Sequence, residues 1–169
     1  MKYIENPMII EGRKFDIRQW VLVTSWNPLT VWFWNAPYLR FPAVEYDPTN
    51  LNDRFVHLTN NSVAKYAKNG TTFGDGNMWH YETFAEWVQE KHGKEGYGED
   101  GLLKKFQQLV INTLLGVQDM FDDKKVPGHH VEMYGFDIML DEDCNPWLLE
   151  VNSSPTMEYS TGITENLCQ

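Results

Sequence analysis

"FDIMLDEDCNPWLLEVNSSP", residues 136–155, reads as strand, turn and strand, two largely apolar runs flanking "DEDCNP" at 141–146. Centring the turn between Asp143 and Cys144 sets Asp137 directly opposite Glu150 and Met139 opposite Leu148. Asn152, two residues beyond Glu150, then shares their face. The other face, with Tyr134, Phe136, Ile138, Leu140, Trp147, Leu149 and Val151, is uniformly apolar and is expected in the core. Like charges opposed on neighbouring strands are destabilising. Two facing carboxylates among Met133, Met139 and Leu148 therefore call for a cation, a shared proton or a basic partner. Oxygen ligands from Asp137, Glu150 and Asn152 suit Mg²⁺, which keeps its other positions for water and nucleotide phosphates. The competing expectation is a sheet face carrying two hydrated acids.

A second constellation lies upstream. Residues 14–24, "KFDIRQWVLVT", alternate as a strand, and "LTVWFW" (29–34) is its hairpin partner across "SWNP". Lys14, Asp16 and Arg18 fall on one face, followed by Trp20 and Leu22, while Phe15, Ile17 and Val21 point the other way. This cation–anion–cation row could hold phosphate or carboxylate, Arg18 by two-point contact and Lys14 as a point charge. A salt-bridge ladder on an exposed strand is the commoner origin of such a row. In "HLTNNS" (57–62), Thr and Asn side chains precede a helix candidate, "SVAKYAK" (62–68), which they would cap by default or else offer to a nucleotide.

Between these motifs, residues 37–61 hold several Pro and Asn and read as irregular. "TFAE" (83–86) has the form of a capping box with Thr83 as N-cap, opening a helix that buries Phe84, Trp87 and Val88. "GKEGYGEDG" (93–101) reads as a flexible loop. Leu102, Leu103, Phe106, Leu109, Val110, Leu114, Val117 and Phe121 then follow the period of one long amphipathic helix. Strands, then helices, then strands indicate an α+β layer and not a parallel βαβ array.

The whole composition narrows the function classes. At 169 residues and 42% hydrophobic, the chain is about one domain with a real core. A net charge of −10 disfavours nucleic acid, so any polyanionic partner must be met by a few aimed Arg and Lys residues. No run approaches the ~18 apolar residues of a membrane span, and "MKYIENPMII" is too short and polar for a secretory signal, so neither membrane nor nucleic acid is an expected partner. Cys144 and Cys168 lack CxxC spacing and read as two reduced thiols of a cytoplasmic protein. His57, His80, His92, His129 and His130 have no metal-ligand spacing and read as structural or surface residues.

Taken together, "KYIENP", "RKFDIRQWVLVTSWNPL", "YLRF", "HLTNNSVAKY", "NMW" and "YGFDIMLDEDCNPWLLEVNSSPTM" resemble the tubulin tyrosine ligase-like family, ATP-grasp ligases that modify tubulin tails. "NMW" (77–79) and "NSSPTM" (152–157) look most like its glycylase branch. The resemblance implies the carboxy-terminal portion of an ATP-grasp fold, a mostly antiparallel sheet with flanking helices. Residues 1–13 would form the hinge segment, and the amino-terminal and central lobes would be absent.

The resemblance also implies cofactors ATP and Mg²⁺. Asp137, Glu150 and Asn152 match metal ligands. Lys2, Tyr3 and Ile4 match the hinge that meets adenine, and Met139 and Leu149 match hydrophobic residues at the base. Lys14, Asp16, Thr59 and Asn60 match nucleotide-contacting positions. Arg18 and Arg40, with Lys14, match groups that meet phosphate or the carboxylates of acceptor and amino acid. The implied activity is ATP-dependent ligation of free glycine to glutamate side chains in the acidic carboxy-terminal tails of tubulin, through an acyl phosphate. The implied setting is the microtubule cytoskeleton, in a cilium or axoneme. Polyglutamylation is the rival within the enzyme class, and a non-catalytic microtubule- or partner-binding fragment is the rival outside it.

Overall fold

The computed structural model describes residues 4–50, 52–59, 63, 66, 72–121, 131–153, 155 and 163. The strands are β1 (Ile9–Ile10), β2 (Arg13–Lys14), β3 (Asp16–Trp26), β4 (Leu29–Phe33), β5 (Tyr38–Arg40), β6 (Met78–His80), β7 (Glu132–Leu140) and β8 (Pro146–Asn152). The helices are α1 (Arg54–His57), α2 (Tyr81–His92) and α3 (Leu102–Leu115), followed by a 3₁₀ turn at Gln118–Met120. The chain is thus α+β. Its six-stranded sheet runs β6-β5-β3-β7-β8, with β4 also paired to β3, and every pairing is antiparallel.

Period-two alternation divides the sheet into two unlike faces. One face sends Ile17, Val21 and Val23 from β3, Leu39 from β5, and Phe136, Ile138 and Leu140 from β7 into the main core. Phe84, Ala85 and Val88 of α2 and Leu102, Phe106, Val110 and Leu114 of α3 cover that face. The four α3 residues stand at four-residue intervals and form one stripe, each burial worth about 1.5–3 kcal/mol. The other face carries Asp16, Arg18 and Trp20 from β3, Tyr38 and Arg40 from β5, and Gly135 and Asp137 from β7. That second face is the one of functional interest.

Several sequence expectations change here. Residues 37–61 are not irregular throughout: β5 and α1 lie within them, and β5 supplies Arg40 to the sheet. Three residues are too few to outweigh the Pro and Asn around them in a sequence reading. Helix α2 starts at Tyr81 with His80 as N-cap and no side-chain cap bond, so Thr83 lies inside the first turn and the capping box does not form. Helix α3 ends at Leu115, and Val117 and Phe121 fall beyond it. Phe121 instead stacks on Trp26, ring centroids 3.7 Å apart, which reproduces an apolar period without helical geometry.

The 93–101 loop, largely exposed, is anchored at Gly96. The Tyr81 hydroxyl donates to the Gly96 carbonyl at 2.7 Å, and a Cβ at Gly96 would collide with that of Ala85. Most of the "SVAKYAK" helix candidate, Cys168, His129 and His130 lie outside the described residues. Cys144 is a buried free thiol in the β7–β8 turn. No helix among the described residues is long and apolar enough to cross a membrane.

Candidate functional site

The site is assembled by register. Strand β3 sits between β5 and β7, so Arg18 faces Tyr38 on one side and Asp137 on the other, while Asp16 faces Arg40. Next across the sheet, Asp137 is paired with Glu150 on β8, as the hairpin reading expects. His80 is paired with Tyr38 at the far edge. One row therefore runs His80–Tyr38–Arg18–Asp137–Glu150 across five strands, and a neighbouring row runs Trp20–Gly135–Asn152.

Below Asp137 the hairpin departs from the expected register. A bulge between Asp137 and Ile138 leaves Leu149 as the extra residue, so Met139 pairs with Trp147 and Ile138 with Leu148. The expected Met139–Leu148 pairing is therefore replaced. A one-residue slip exchanges the sides of all residues beyond it. Leu148 consequently packs against the core, while Trp147 is half exposed and donates its indole N–H to Asp141 at 2.9 Å. Val151 keeps the register but is also exposed at the β8 edge, so the apolar face of β8 is only partly core.

The charged groups of the site are buried and interlocked. Arg18 Nε donates to Asp137 Oδ1 at 2.6 Å and Nη2 to Oδ2 at 3.3 Å. Arg40 makes a two-point contact with Asp16, at 2.8 and 2.5 Å, and its Nη2 also lies 2.9 Å from Asp137 Oδ2. Thr59 Oγ1 donates to Asp16 Oδ2 at 2.8 Å. Two guanidinium and two carboxylate groups thus alternate in one chain of charge-assisted bonds, and all four residues are at most 9% exposed. An exposed ladder along β3 is excluded, because the partner of Asp16 is Arg40 on the next strand. Thr59, expected by default to cap a helix, here satisfies a buried carboxylate.

Burial works to raise the Asp137 carboxyl, but Arg40 and Arg18 outweigh it and hold the group below the usual carboxylate range. Burial likewise opposes the charge of Arg40, and Asp16 and Asp137 more than restore it. For Lys14 the balance goes the other way: burial lowers its ammonium despite the nearby Asp16 charge. A buried cation held below its ordinary value gains from an incoming anion. The Tyr38 phenol is pushed up by burial against the pull of Arg18 and Arg40.

Glu150 and Asn152 stand at the open edge of this network. The Asn152 amide donates to Glu150 Oε1 at 3.2 Å and reaches Asp137 Oδ2 at 3.5 Å and the Gly135 carbonyl at 3.4 Å. Three oxygen-bearing side chains therefore converge on one point. Turning the amide by half a rotation would present its carbonyl oxygen there. No group of three His, Cys, Asp or Glu is gathered among the described residues, so any cation here depends on the Asn152 amide. The donor set is all oxygen, carries two negative charges and has Arg18 and Arg40 behind it. Its chemistry fits Mg²⁺.

Of the other expected site residues, Met139 lies buried on the Asp137 face of β7, and Leu149 is the bulge residue of β8. Ile4 is part-buried in the segment leading to Asn6–Met8, which runs alongside Leu140–Glu142. Lys2, Tyr3 and Asn60 lie outside the described residues. Sequence reasoning did not single out Tyr38 and Gly135, which stand on this face, while His80 is exposed at the sheet edge, in keeping with a surface residue. Tyr38 stood two residues before the recognised Arg40, at strand spacing, and that was the available signal.

A sequence model of the tubulin-tyrosine ligase family matches residues 1–169. Among curated proteins, the chain is 45% identical to tubulin glycylase 3C of Tetrahymena thermophila over 98% of its own length and 16% of that protein's. It is 43% identical to tubulin monoglycylase TTLL3 of Danio rerio over 99% of its length and 22% of that protein's. It is 42% identical to protein monoglycylase TTLL8 of Mus musculus, over 99% and 20% of the two lengths. The chain spans about a fifth or less of the curated relatives it matches. Full-length family coverage and these identities give one conclusion: the chain belongs to the tubulin-tyrosine ligase family.

Proposed function

We propose that this chain supplies the carboxy-terminal, metal-holding part of an ATP-grasp ligase that attaches glycine to glutamate side chains of tubulin. The observation that carries the reading is the buried Arg18–Asp137–Arg40–Asp16 network on one sheet face, with Glu150 and Asn152 at its rim. A net-neutral set of four buried charges orients two arginines and a cation-binding edge before any ligand arrives. The names of the glycylase relatives support the choice of glycine and tubulin.

In this reading Asp137, Glu150 and Asn152 would hold Mg²⁺, which when bound would offset the negative charge of ATP phosphates. Lys14 receives phosphate at a position where burial already makes its charge costly without an anion. The acceptor γ-carboxylate oxygen attacks the γ-phosphorus of ATP, the bridging P–O bond breaks and ADP leaves. The amine of glycine then attacks the acyl carbon, inorganic phosphate departs, and the amine nitrogen loses a proton to give the isopeptide bond. Arg18 and Arg40 orient the carboxylate and stabilise charge on the phosphoryl oxygens. Adenine would rest beside Met139 and Leu149, reached by the hinge residues Lys2, Tyr3 and Ile4, with Thr59 and Asn60 near the nucleotide. The acidic tails of tubulin and the microtubule are the partners in this reading, and the cilium or axoneme is the setting.

Mass spectrometry provides the test. Tubulin is incubated with ATP, Mg²⁺, the complete ligase containing this chain, and either glycine or glutamate. Added masses of glycine on glutamate residues support the reading. Added glutamate, or no addition by a folded complete protein, contradicts it.

A further inference from the structure

Gly135 has no backbone reason to be glycine. Its φ lies outside the left-handed region, and it sits in the interior of β7, where glycine weakens a strand. Its surroundings give a steric reason instead. A Cβ built there would meet Arg18 Nη1 at 3.2 Å, Arg18 Cδ at 3.3 Å and Pro155 Cβ at 3.3 Å. Gly135 precedes Asp137 by two residues on the same face, so the bare backbone is the floor over which Arg18 passes to reach its carboxylate. Trp20, directly across from Gly135 on β3, flanks the guanidinium, with the ring centroid 5.7 Å from Cζ. Asn152, directly across on β8, leans its amide on the Gly135 carbonyl at 3.4 Å.

We infer that Gly135 is a positioning residue. The missing side chain leaves the slot in which Arg18 lies flat, bonded to Asp137 through two nitrogens and held against Trp20. Arg18 is under crowded, two-point restraint, so it has little room to give way. Adding a methyl group at 135 lifts the guanidinium, and adding a branched side chain expels it. The consequence for ligand binding rests on the reading above, in which Arg18 faces phosphate. The consequence for the Arg18–Asp137 bond does not.

The two consequences separate in one set of side-chain NMR spectra of the 169-residue chain. The Arg18 Nε–H resonance is assigned by its loss in Arg18→Lys, and its solvent exchange is measured in wild type, Gly135→Ala and Gly135→Val. The expected result is slow exchange in wild type, about tenfold faster in Gly135→Ala and faster still in Gly135→Val, with the backbone amide spectrum retained. On titration with Mg²⁺ and ATP, Gly135→Ala should need about tenfold more nucleotide than wild type. If Gly135→Val does not fold, Gly135→Ala alone decides. Unchanged Arg18 protection in a folded variant overturns the proposal. Protection that depends on residue 135, with an Arg18 resonance that ignores Mg²⁺ and ATP in the complete ligase containing this chain as well, supports the positioning role and removes the nucleotide reading.

Discussion

Arg18 and Asp137, 119 positions apart in the chain, stand directly opposite each other on β3 and β7 with Nε and Oδ1 2.6 Å apart. This pair, not a pairing of Asp137 with Glu150 through a shared proton, is how the fold accommodates a carboxylate in its interior. Arg40 contacts the same carboxylate from the other side and ties it to Asp16. Removing any one of these charges leaves the buried set with an uncompensated charge.

Asp137→Asn keeps the shape and deletes one of the two negative charges facing Arg18 and Arg40. Breaking a buried ionic network from one side costs roughly 3–5 kcal/mol. Urea unfolding should show a loss of that order. Arg40→Ala should cost at least as much, because it deprives both Asp16 and Asp137.

The pH dependence of stability has a definite sign. The native carboxyl of Asp137 is depressed, so its contribution is fully present above the unfolded-state value of about 3.9 and is lost as pH falls through the lower native value. The stability difference between wild type and Asp137→Asn should be flat from pH 7 to about 5 and should shrink below about pH 4. A difference that vanished already near neutral pH would contradict the assignment.

Gly96 provides a prediction about packing alone. A Cβ there would collide with Ala85, so Gly96→Ala should destabilise by about 1–3 kcal/mol. Ala85→Gly in the same chain should recover part of that loss, and thermal unfolding of the single and double variants measures it. An unchanged midpoint in Gly96→Ala would mean that the loop is looser than its contacts indicate.

What the sequence disclosed follows the range of the interactions involved. The facing of Asp137 and Glu150 could be read because a six-residue turn fixes the upper register of its own hairpin. The bulge at Leu149 could not, since nothing in "PWLLEVN" distinguishes a residue that pairs from one that is extra. Asp16 and Arg18 declared their common face through period-two alternation, whereas Lys14, expected on the same strand, lies on β2 in the separate β1–β2 pair. The true partners of Asp16 and Arg18 did not, because Arg40 and Asp137 reach β3 only through tertiary pairing, 24 and 119 positions away. Thr83 misled for a different reason. A capping sequence reports local preference, and here β6 delivers the chain into α2 three residues earlier, with His80 and not Thr83 as N-cap.

The 169-residue chain by itself, incubated with tubulin, ATP, Mg²⁺ and glycine, should add no glycine detectable by mass spectrometry. The chain spans about a fifth or less of the curated relatives it matches, the proposal gives it only the metal-holding part of the ligase, and positioning supplies much of the rate. A ladder of added glycines would show that this part is sufficient.

Glu150 offers the most direct measurement, because it is exposed and its carboxylate is bonded only to the Asn152 amide among the described residues. Glu150→Gln should therefore leave stability within about 0.5 kcal/mol of wild type. In NMR titrations with Mn²⁺ and ATP, the amides of Asp137, Glu150 and Asn152 in wild type should broaden first. In Glu150→Gln the same broadening should require about tenfold more metal. Equal broadening at equal metal in the two proteins, or broadening centred elsewhere in the chain, would contradict the assignment of this hairpin edge as the cation site.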